Sequence, residues 1–510
     1  MKKLLAISLF LVSVNLIYAE NETNEDKAAP ASKTTVQKAT ENKEETPAPV
    51  PQKRPEGFWN FYAKQQAKLV KDNDRAMFED VSTNVKAQED FYSYVNENWD
   101  KKTQIPSTKP AWGAFYELNE KNQDFLRNLI RELKGKSSLT ADEQKVVTLY
   151  DSYSNMEKRN KEGLAPIKND LEKIDAIKNV ADLEKYNVEA TKTGGSEFYG
   201  WGVGTDLNNS KNNAIYLGSA GIGLSREYFQ KDTRENRAIL EEYTRYVSDM
   251  LKYLGESDTL EKAKKIVAFE KQIANTLLTN EERHDVKKYN NPVKVSDLGT
   301  LSRNVDLAQY LKQLNVNTDK VIITELNYYK NLDRFVNDAN IGVIKDYMKY
   351  NLISSAAGVL NDDLGKRSFE FFGRYLNGQK EREVLEKRAL NFTDGSLGEI
   401  IGKIYVQRNF SSEAKKNTLQ MVDYIKKAMK NRIEKLDWMS AATKKKALEK
   451  LSKITVKIGY PDKWRDFSKM TISSNDSLYD QMKKISEWEY NEDMKKVGKP
   501  VDKTEWHMSP

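Results

Sequence analysis

The sequence predicts a mainly helical, exported protein with one small β-hairpin, and three observations lead to this expectation. An apolar leader opens the chain, apolar residues recur at helical spacing over most of its length, and one aromatic, glycine-rich segment breaks that spacing. The 510 residues are 38% hydrophobic and 31% charged, so the chain is long enough to bury a large core. It contains no cysteine, and its stability therefore depends on packing without disulfides.

The first 19 residues have the layout of a secretory signal peptide. Lys2 and Lys3 precede an apolar run over 4–17, and Ala19 provides a small residue for cleavage. Because the run is short for a membrane span, we expect cleavage after Ala19 and a periplasmic or secreted protein. An uncleaved leader that anchors the chain in the inner membrane is the alternative.

Composition divides the remainder into three parts. Residues 20–57 are rich in Pro, Lys, Glu and Thr, which predicts a disordered linker because such a segment buries too little apolar surface to order itself. Helical periodicity dominates from 58 to 465, and we predict one helical domain over that range. Residues 466–510 are predicted to begin the connection to a further domain.

The clearest helix in this domain begins after Ser411. Glu413 supports a capping start, and apolar residues then recur every three or four positions. These residues are Leu419, Val422, Ile425, Met429, Ile433 and Leu436. Because they share one face, we expect that face to pack against the core, with Lys426, Lys427 and Lys430 on the solvent side.

The segment that breaks the helical pattern predicts a β-hairpin. Residues 198–204 and 213–217 are aromatic, β-branched or glycine-rich, and they flank a polar turn at Asn208 and Asn209.

Several kinds of chemistry are excluded or unsupported. The net charge of +7 is spread among interleaved acids, so no nucleic-acid surface is expected. The stretch 360–368 lacks the first glycine of a phosphate loop, and 394–398 has its glycine in the wrong place for a serine-hydrolase elbow.

Metal binding is also unsupported by the residues present. The chain has two histidines, His284 and His507, and neither begins an H-E-x-x-H helix. We expect His284 to form an ion pair in its charged segment and His507 to be exposed. No catalytic residue and no metal ligand is assigned.

Ordered motifs from about Glu89 to Pro510 nevertheless carry a family resemblance. They are 90–99 (D-F-Y-S-Y-V-N-E-N-W), 105–106 with 113–115, 222–228 (I-G-L-S-R-E-Y), 283–292 (R-H-D with Y-N and P), 436–440 (L-D-W-M-S), 458–464 (I-G-Y-P-D-K-W) and 498–508. In this order they resemble the neprilysin-like M13 family of zinc endopeptidases, in particular its bacterial oligopeptidase O members. Glu97 departs from the family's usual glycine.

The resemblance implies a two-lobed, largely helical fold around a cavity that admits peptides. This chain resembles the helical cap lobe, with its small hairpin, up to the point where the thermolysin-like lobe begins. In the family a zinc ion is held by H-E-x-x-H in that second lobe, so zinc belongs to the intact fold and none is expected on this chain. The implied partners are peptide substrates and, for a split protein, a separately encoded catalytic lobe.

The resemblance also indicates candidate cavity residues, namely Trp112, Phe115, Tyr116 and Asn119. Ala111 and Asn119 occupy positions where mammalian neprilysin has arginines that hold a peptide carboxylate, so no carboxylate clamp is expected. Two hypotheses remain open: the N-terminal part of a zinc endopeptidase that is inactive alone, or a non-catalytic secreted module that binds peptides.

Overall fold

A computed structural model describes residues 81–509, so the predicted leader, the linker and the start of the predicted helical domain lie outside the described residues. The described chain divides into two compact units, one ending at Phe115 and one beginning at Tyr116.

The unit of residues 81–115 is built around α1, Phe91–Lys102. Asp90 caps this helix by accepting a hydrogen bond from the backbone N–H of Ser93 at 3.0 Å. Glu97, the departure from the family pattern, accepts from the Ser82 hydroxyl and pairs with Lys101 at 2.7 Å. The carboxylate therefore ties the helix to the segment before it.

The unit of residues 116–509 is mainly helical, as predicted, although its first helix begins two residues before the unit boundary, at Ala114. Its helices are α2 Ala114–Gly135, α3 Ala141–Ser154, α4 Met156–Glu162, α5 Lys168–Asp175, α6 Val180–Thr191, α7 Arg226–Gln230, α8 Arg234–Tyr253, α9 Thr259–Ala274, α10 Val286–Tyr289, α11 Leu307–Gln313, α12 Leu326–Lys330, α13 Leu332–Phe335, α14 Ile341–Ala356, α15 Asp362–Ser368, α16 Leu385–Asn409, α17 Ser412–Lys435, α18 Ala441–Ser452 and α19 Leu478–Met494. A π-helical segment, Phe369–Leu376, follows α15.

A four-stranded sheet is set among these helices. The predicted hairpin is confirmed as β1, Tyr199–Asp206, paired antiparallel with β2, Asn209–Ser219. Two strands were not predicted: β3, Asn291–Lys294, and β4, Lys320–Ile323. The strand order is β1-β2-β4-β3, and β2 and β4 run parallel.

The core of this unit is rich in aromatic rings. Phe335 is fully buried, with its ring stacked on Tyr328 at a centroid distance of 5.6 Å and edge-on to Phe269 at 6.1 Å. Tyr246 likewise stacks on Phe371 at 5.1 Å. Several buried tyrosine hydroxyls donate to carbonyl oxygens, as Tyr328 does to Phe198 at 2.7 Å. Packing without disulfides is thus achieved with large, hydrogen-bonded rings.

The predicted core-packing stripe on α17 is wrong for most of its length. Ile433 is buried, but the side chains of Leu419, Ile425 and Met429 are 39%, 60% and 51% exposed. Val422 and Leu436 are partly buried. The periodicity identified the helix correctly, yet α17 packs mainly on α18 and the described chain leaves much of its apolar surface uncovered.

The prediction that three lysines lie on the solvent side of α17 is confirmed for two of them and is wrong for Lys426. Lys427 and Lys430 are exposed. Lys426 is partly buried and donates to the Ile454 carbonyl at 3.4 Å, because the face that carries it is turned toward α18.

Candidate functional site

The predicted cavity residues lie at the start of α2 and just before it. Trp112 and Phe115 belong to the 81–115 unit, where Trp112 is partly buried and Phe115 is 88% exposed. Tyr116 and Asn119 belong to the other unit, where Tyr116 is partly buried and Asn119 is exposed. The exposure of Phe115 and Asn119 leaves both side chains accessible to a ligand.

The next turns of α2 pack on α16 through polar groups, which we call the polar seam. Glu120 pairs with Lys387, Gln123 donates to Asn391, and Arg127 donates to Glu386 at 3.0 Å. These α2 residues, like Tyr116 and Asn119, recur at three- and four-residue spacing and therefore share one helical face.

Gln123 Oε1 in the polar seam and Arg388 Nη1 near it are buried and accept or donate no hydrogen bond among the described residues. The helices are held together by the hydrogen bonds and the ion pair of the polar seam, whereas these two unsatisfied atoms cost free energy. On this face of α2, Asn119 is exposed and Tyr116 is partly buried. Sequence reasoning missed the polar seam because its partners are more than 250 residues apart.

Two of the family-like motifs meet at one buried carboxylate. Glu325 is 2% exposed and accepts from Arg283 Nη2 at 2.5 Å and from Arg226 Nη1 at 3.3 Å. Its second oxygen accepts from the Leu278 backbone N–H at 2.7 Å. Burial lowers the pKa of Arg226, and the pairing with Glu325 opposes that effect. The triad ties α7 to the start of α12, which is a structural role.

The turn before α7 is anchored by a second buried acid, Glu270 on α9. Its Oε1 accepts from the Gly223 N–H at 2.9 Å and from the Tyr243 hydroxyl at 3.1 Å. Burial raises the pKa of Glu270 to about 7. Because this carboxyl is 0% exposed, no substrate reaches it, and it is not a candidate acid or base for catalysis.

The motif at 458–464 stabilises the base of α17. Lys415 Nζ donates to the Tyr460 carbonyl at 2.9 Å and lies 4.0 Å from the centre of the Tyr460 ring. Gly459 has a φ of +71°, and a Cβ there would lie 2.5 Å from the Phe410 ring. A glycine is therefore required at this turn.

The described residues do not fit a zinc site. Over 81–509 no group of three His, Asp or Glu side chains is arranged to hold a metal ion. His284 and His507 are both exposed, and His284 forms no ion pair with any described residue, so its predicted ion-pair role is wrong. The exposure expected for His507 is confirmed.

The fold places this chain in the class of zinc metalloprotease lobes. It superposes on the zinc metalloprotease of Mycobacterium tuberculosis in complex with an inhibitor with a TM-score of 0.79 at 26% identity, covering 85% of this chain and 66% of that one. It is also similar in fold to a PepO protein of Lactobacillus, with a TM-score of 0.76 at 23% identity.

Sequence comparison specifies the family. Residues 87–461 match the model of peptidase family M13, and the chain belongs to that family. It is 27% identical to the neutral endopeptidase of Lactococcus lactis over 428 residues, which is 82% of this chain and 68% of the relative. It is 24% identical to neprilysin-3 of Drosophila melanogaster, covering 84% of this chain and 58% of the relative.

These matches confirm the family resemblance and the mainly helical neprilysin-like lobe. The chain spans about two thirds or less of the length of these relatives. Across 81–509 no helix is both long enough and apolar enough to cross a bilayer.

Proposed function

We propose that this chain is the helical lobe of a secreted M13 zinc metalloendopeptidase and forms one wall of a cavity in which peptides are hydrolysed. The match to the family over 87–461 is the observation that carries this proposal. The fold similarity to a zinc metalloprotease with a TM-score of 0.79 supports it.

The hydrolytic chemistry is assigned to residues that these 510 do not supply. In zinc peptidases the metal polarises the scissile carbonyl and provides a nucleophilic water at neutral pH. With two histidines and no H-E-x-x-H, this chain is proposed to bind no zinc and to cleave no peptide by itself. Its partner for catalysis is a zinc-bearing lobe, supplied by a longer form of the protein or by a separate chain.

The contribution of this lobe is to bind and orient peptide. Trp112, Phe115, Tyr116 and Asn119 are proposed as peptide contacts, with the exposed Phe115 and Asn119 the most accessible of them. A neutral amide at 119 cannot form the two charge-assisted hydrogen bonds that a guanidinium gives to a carboxylate. We therefore expect endopeptidase specificity without recognition of a terminal carboxylate.

The second candidate is a non-catalytic peptide-binding module, favoured by the same exposed side chains and by the lack of any group of three metal-ligating side chains over 81–509. Metal analysis of the full chain, hydrolysis of a fluorogenic peptide with and without chelator, and peptide binding by fluorescence anisotropy separate the two. We expect no stoichiometric zinc and no hydrolysis from the chain alone, with chelator-sensitive hydrolysis once a zinc-bearing M13 lobe is added.

The results that overturn the proposal are equally specific. Stoichiometric zinc or chelator-sensitive cleavage by the isolated chain contradicts its inactivity. Tight peptide binding that never yields hydrolysis, whatever lobe is added, favours the binding module. Phe115→Ala and Asn119→Ala are expected to weaken peptide binding, whereas Leu260→Ala, an exposed site on α9, serves as the matched control.

Export is part of the same proposal. The leader at 1–19 is proposed to direct the chain to the periplasm or the medium, with retention at the inner membrane as the alternative. N-terminal sequencing of the mature chain from each fraction distinguishes them: a new terminus at Glu20 supports cleavage, whereas an intact Met1 in the membrane fraction supports the anchor.

A further inference from the structure

The positive charge of the chain is concentrated in one helical hairpin. Residues 411–457, which contain α17 and α18 and which we call the basic hairpin, have 13 lysines and arginines and 5 acids, a net charge of +8. The whole chain carries +7, so all the other residues together carry −1. An average over the chain therefore conceals a strong local excess of positive charge.

Helix α18 presents part of this charge to solvent on one side. Lys446, Lys450 and Lys453 are exposed and recur at i, i+4 and i+7, which places them on one face within about 11 Å along the helix. We call these three residues the lysine face. Leu448 and Leu451 lie on the opposite side of α18 and are partly buried, so the helix packs through that side and turns the lysine face outward.

Acidic side chains neutralise the lysine face only weakly. Lys446 and Lys450 form no ion pair with any residue of 81–509, and neither does the exposed Lys445 beside them. Lys453 pairs with Glu449, but both side chains are more than half exposed, and exposed pairs of this kind contribute little. Several positive charges therefore face solvent without compensation.

Helix α17 adds a second row of lysines, on the side away from its exposed apolar residues. Lys416, Lys427 and Lys430 are exposed and lie on one side of the helix at 3.6 residues per turn. The exposed apolar residues of α17 lie on the other side: Met421, Tyr424, Ile425 and Met429. A partner on the apolar side would therefore leave these lysines accessible.

The composition of the lysine face favours one class of ligand. Protein–protein interfaces are depleted of lysine and are centred on apolar or aromatic side chains, and the lysine face contains none of these. A second copy of the chain is also disfavoured, because it would bring one +8 segment against another. A row of flexible point charges instead suits a surface of many phosphate groups, where each lysine strengthens binding by roughly fivefold.

We propose that the basic hairpin binds the phosphate head groups of an anionic phospholipid bilayer through its lysine face. This inference rests on the export proposed above, because an exported chain meets a phospholipid surface and no nucleic acid; it does not depend on peptide hydrolysis. The contact is electrostatic and inserts no apolar side chain, so salt should weaken it strongly.

Co-sedimentation with lipid vesicles tests the proposal. The mature chain that begins at Glu20 is used, so that Lys2 and Lys3 of the leader do not contribute. Vesicles of phosphatidylglycerol and phosphatidylcholine in equal parts should bind the chain, whereas vesicles of phosphatidylcholine alone should not. Binding should weaken at least about tenfold between about 50 mM and about 300 mM salt.

Paired charge reversals locate the binding surface. Lys446→Glu with Lys450→Glu should weaken binding to the phosphatidylglycerol vesicles at least about tenfold. Lys265→Glu with Lys271→Glu, both exposed on α9, makes the same change of charge elsewhere and should weaken binding less than about twofold. Lys446→Arg with Lys450→Arg keeps the charge and should bind as the unmodified chain does. Circular dichroism of each variant confirms that it is folded.

The outcomes separate this inference from the proposed function. Equal binding to phosphatidylcholine vesicles, or equal weakening by the two charge reversals, would overturn it. Binding to duplex DNA but not to vesicles, lost in the Lys446/Lys450 reversal, would assign the lysine face to nucleic acid and also overturn it. Hydrolysis restored by a zinc-bearing M13 lobe without any vesicle binding would overturn this inference alone. Vesicle binding as expected, without restored hydrolysis, would support this inference and contradict the proposed function.

Discussion

The aromatic core and the basic hairpin of residues 411–457, which contains α17 and α18 and carries a net charge of +8, place apolar side chains in opposite surroundings. Phe335 in the core is 0% exposed, whereas Ile425 on α17 is 60% exposed, although each lies in a helix with apolar residues at regular spacing. The difference shows that periodicity specifies which face of a helix is apolar and does not specify what covers it. In the core the cover lies within the described chain, whereas the described residues leave most of the apolar side chains on α17 exposed.

The largest expected effect contrasts these two regions directly. Phe335→Ala removes a ring that packs on Tyr328 and Phe269, and we expect it to lower the free energy of unfolding by about 3–5 kcal/mol. Ile425→Ala should change the same quantity by no more than about 0.5 kcal/mol in the isolated chain. Urea unfolding followed by tryptophan fluorescence measures both. A loss of several kcal/mol from Ile425→Ala would show that α17 is already covered.

The second-largest expected effect is a pH dependence of stability, which tests the burial of Glu270 in the core. The pKa of Glu270 is raised to about 7 in the folded chain from an ordinary 4.5, so the folded state holds this proton more tightly than the unfolded chain. The stabilisation is fully present below pH 4.5 and is lost as the pH rises through 7, a change on the order of 3 kcal/mol.

Glu270→Gln cannot ionise and should lack that loss. Between pH 5 and pH 8 the free energy of unfolding should therefore fall less in the Glu270→Gln variant than in the unmodified chain. Glu172→Gln, at an exposed position, is the control and should behave as the unmodified chain does. An identical pH dependence in the variant and the unmodified chain would contradict the burial of a titrating carboxyl at this position.

The smallest effect concerns the base of the basic hairpin. Gly459→Ala places a Cβ at positive φ against the Phe410 ring and should cost about 1–3 kcal/mol locally. Because the basic hairpin shares little surface with the core, we expect faster trypsin cleavage within 411–457 and little change in global unfolding. Gly395→Ala, where a Cβ meets open space, is the control. If trypsin cleaves the Gly459→Ala and Gly395→Ala variants at the same rate, the turn at Gly459 does not stabilise the basic hairpin.

The sequence predicted the helical class, the β1–β2 hairpin and the α17 helix, because each depends on local spacing. It did not predict the pairing of β4 with β2, since strand 320–323 is short and its partner lies about a hundred residues earlier. Nor did it predict that Arg226 and Arg283 meet at Glu325. The motifs that contain Arg226 and Arg283 were visible in the sequence, but Glu325, the acid that pairs with both arginines, lies in neither motif.

The candidate site was predictable only in part. Family-like motifs indicated Trp112, Phe115, Tyr116 and Asn119, and their roles as peptide contacts remain predictions. The polar seam beside them depends on contacts between α2 and α16 that no local pattern encodes. The concentration of positive charge in 411–457 was visible in the sequence but was concealed by averaging over the chain.

Hydrogen–deuterium exchange over 415–438 tests most directly the contrast between the uncovered helix α17 and the covered core. Trp438 and the apolar side chains of α17 are open to solvent, so amides in this segment should exchange faster than those of the core helix α14. Exchange in 415–438 that is as slow as in α14 would contradict the account.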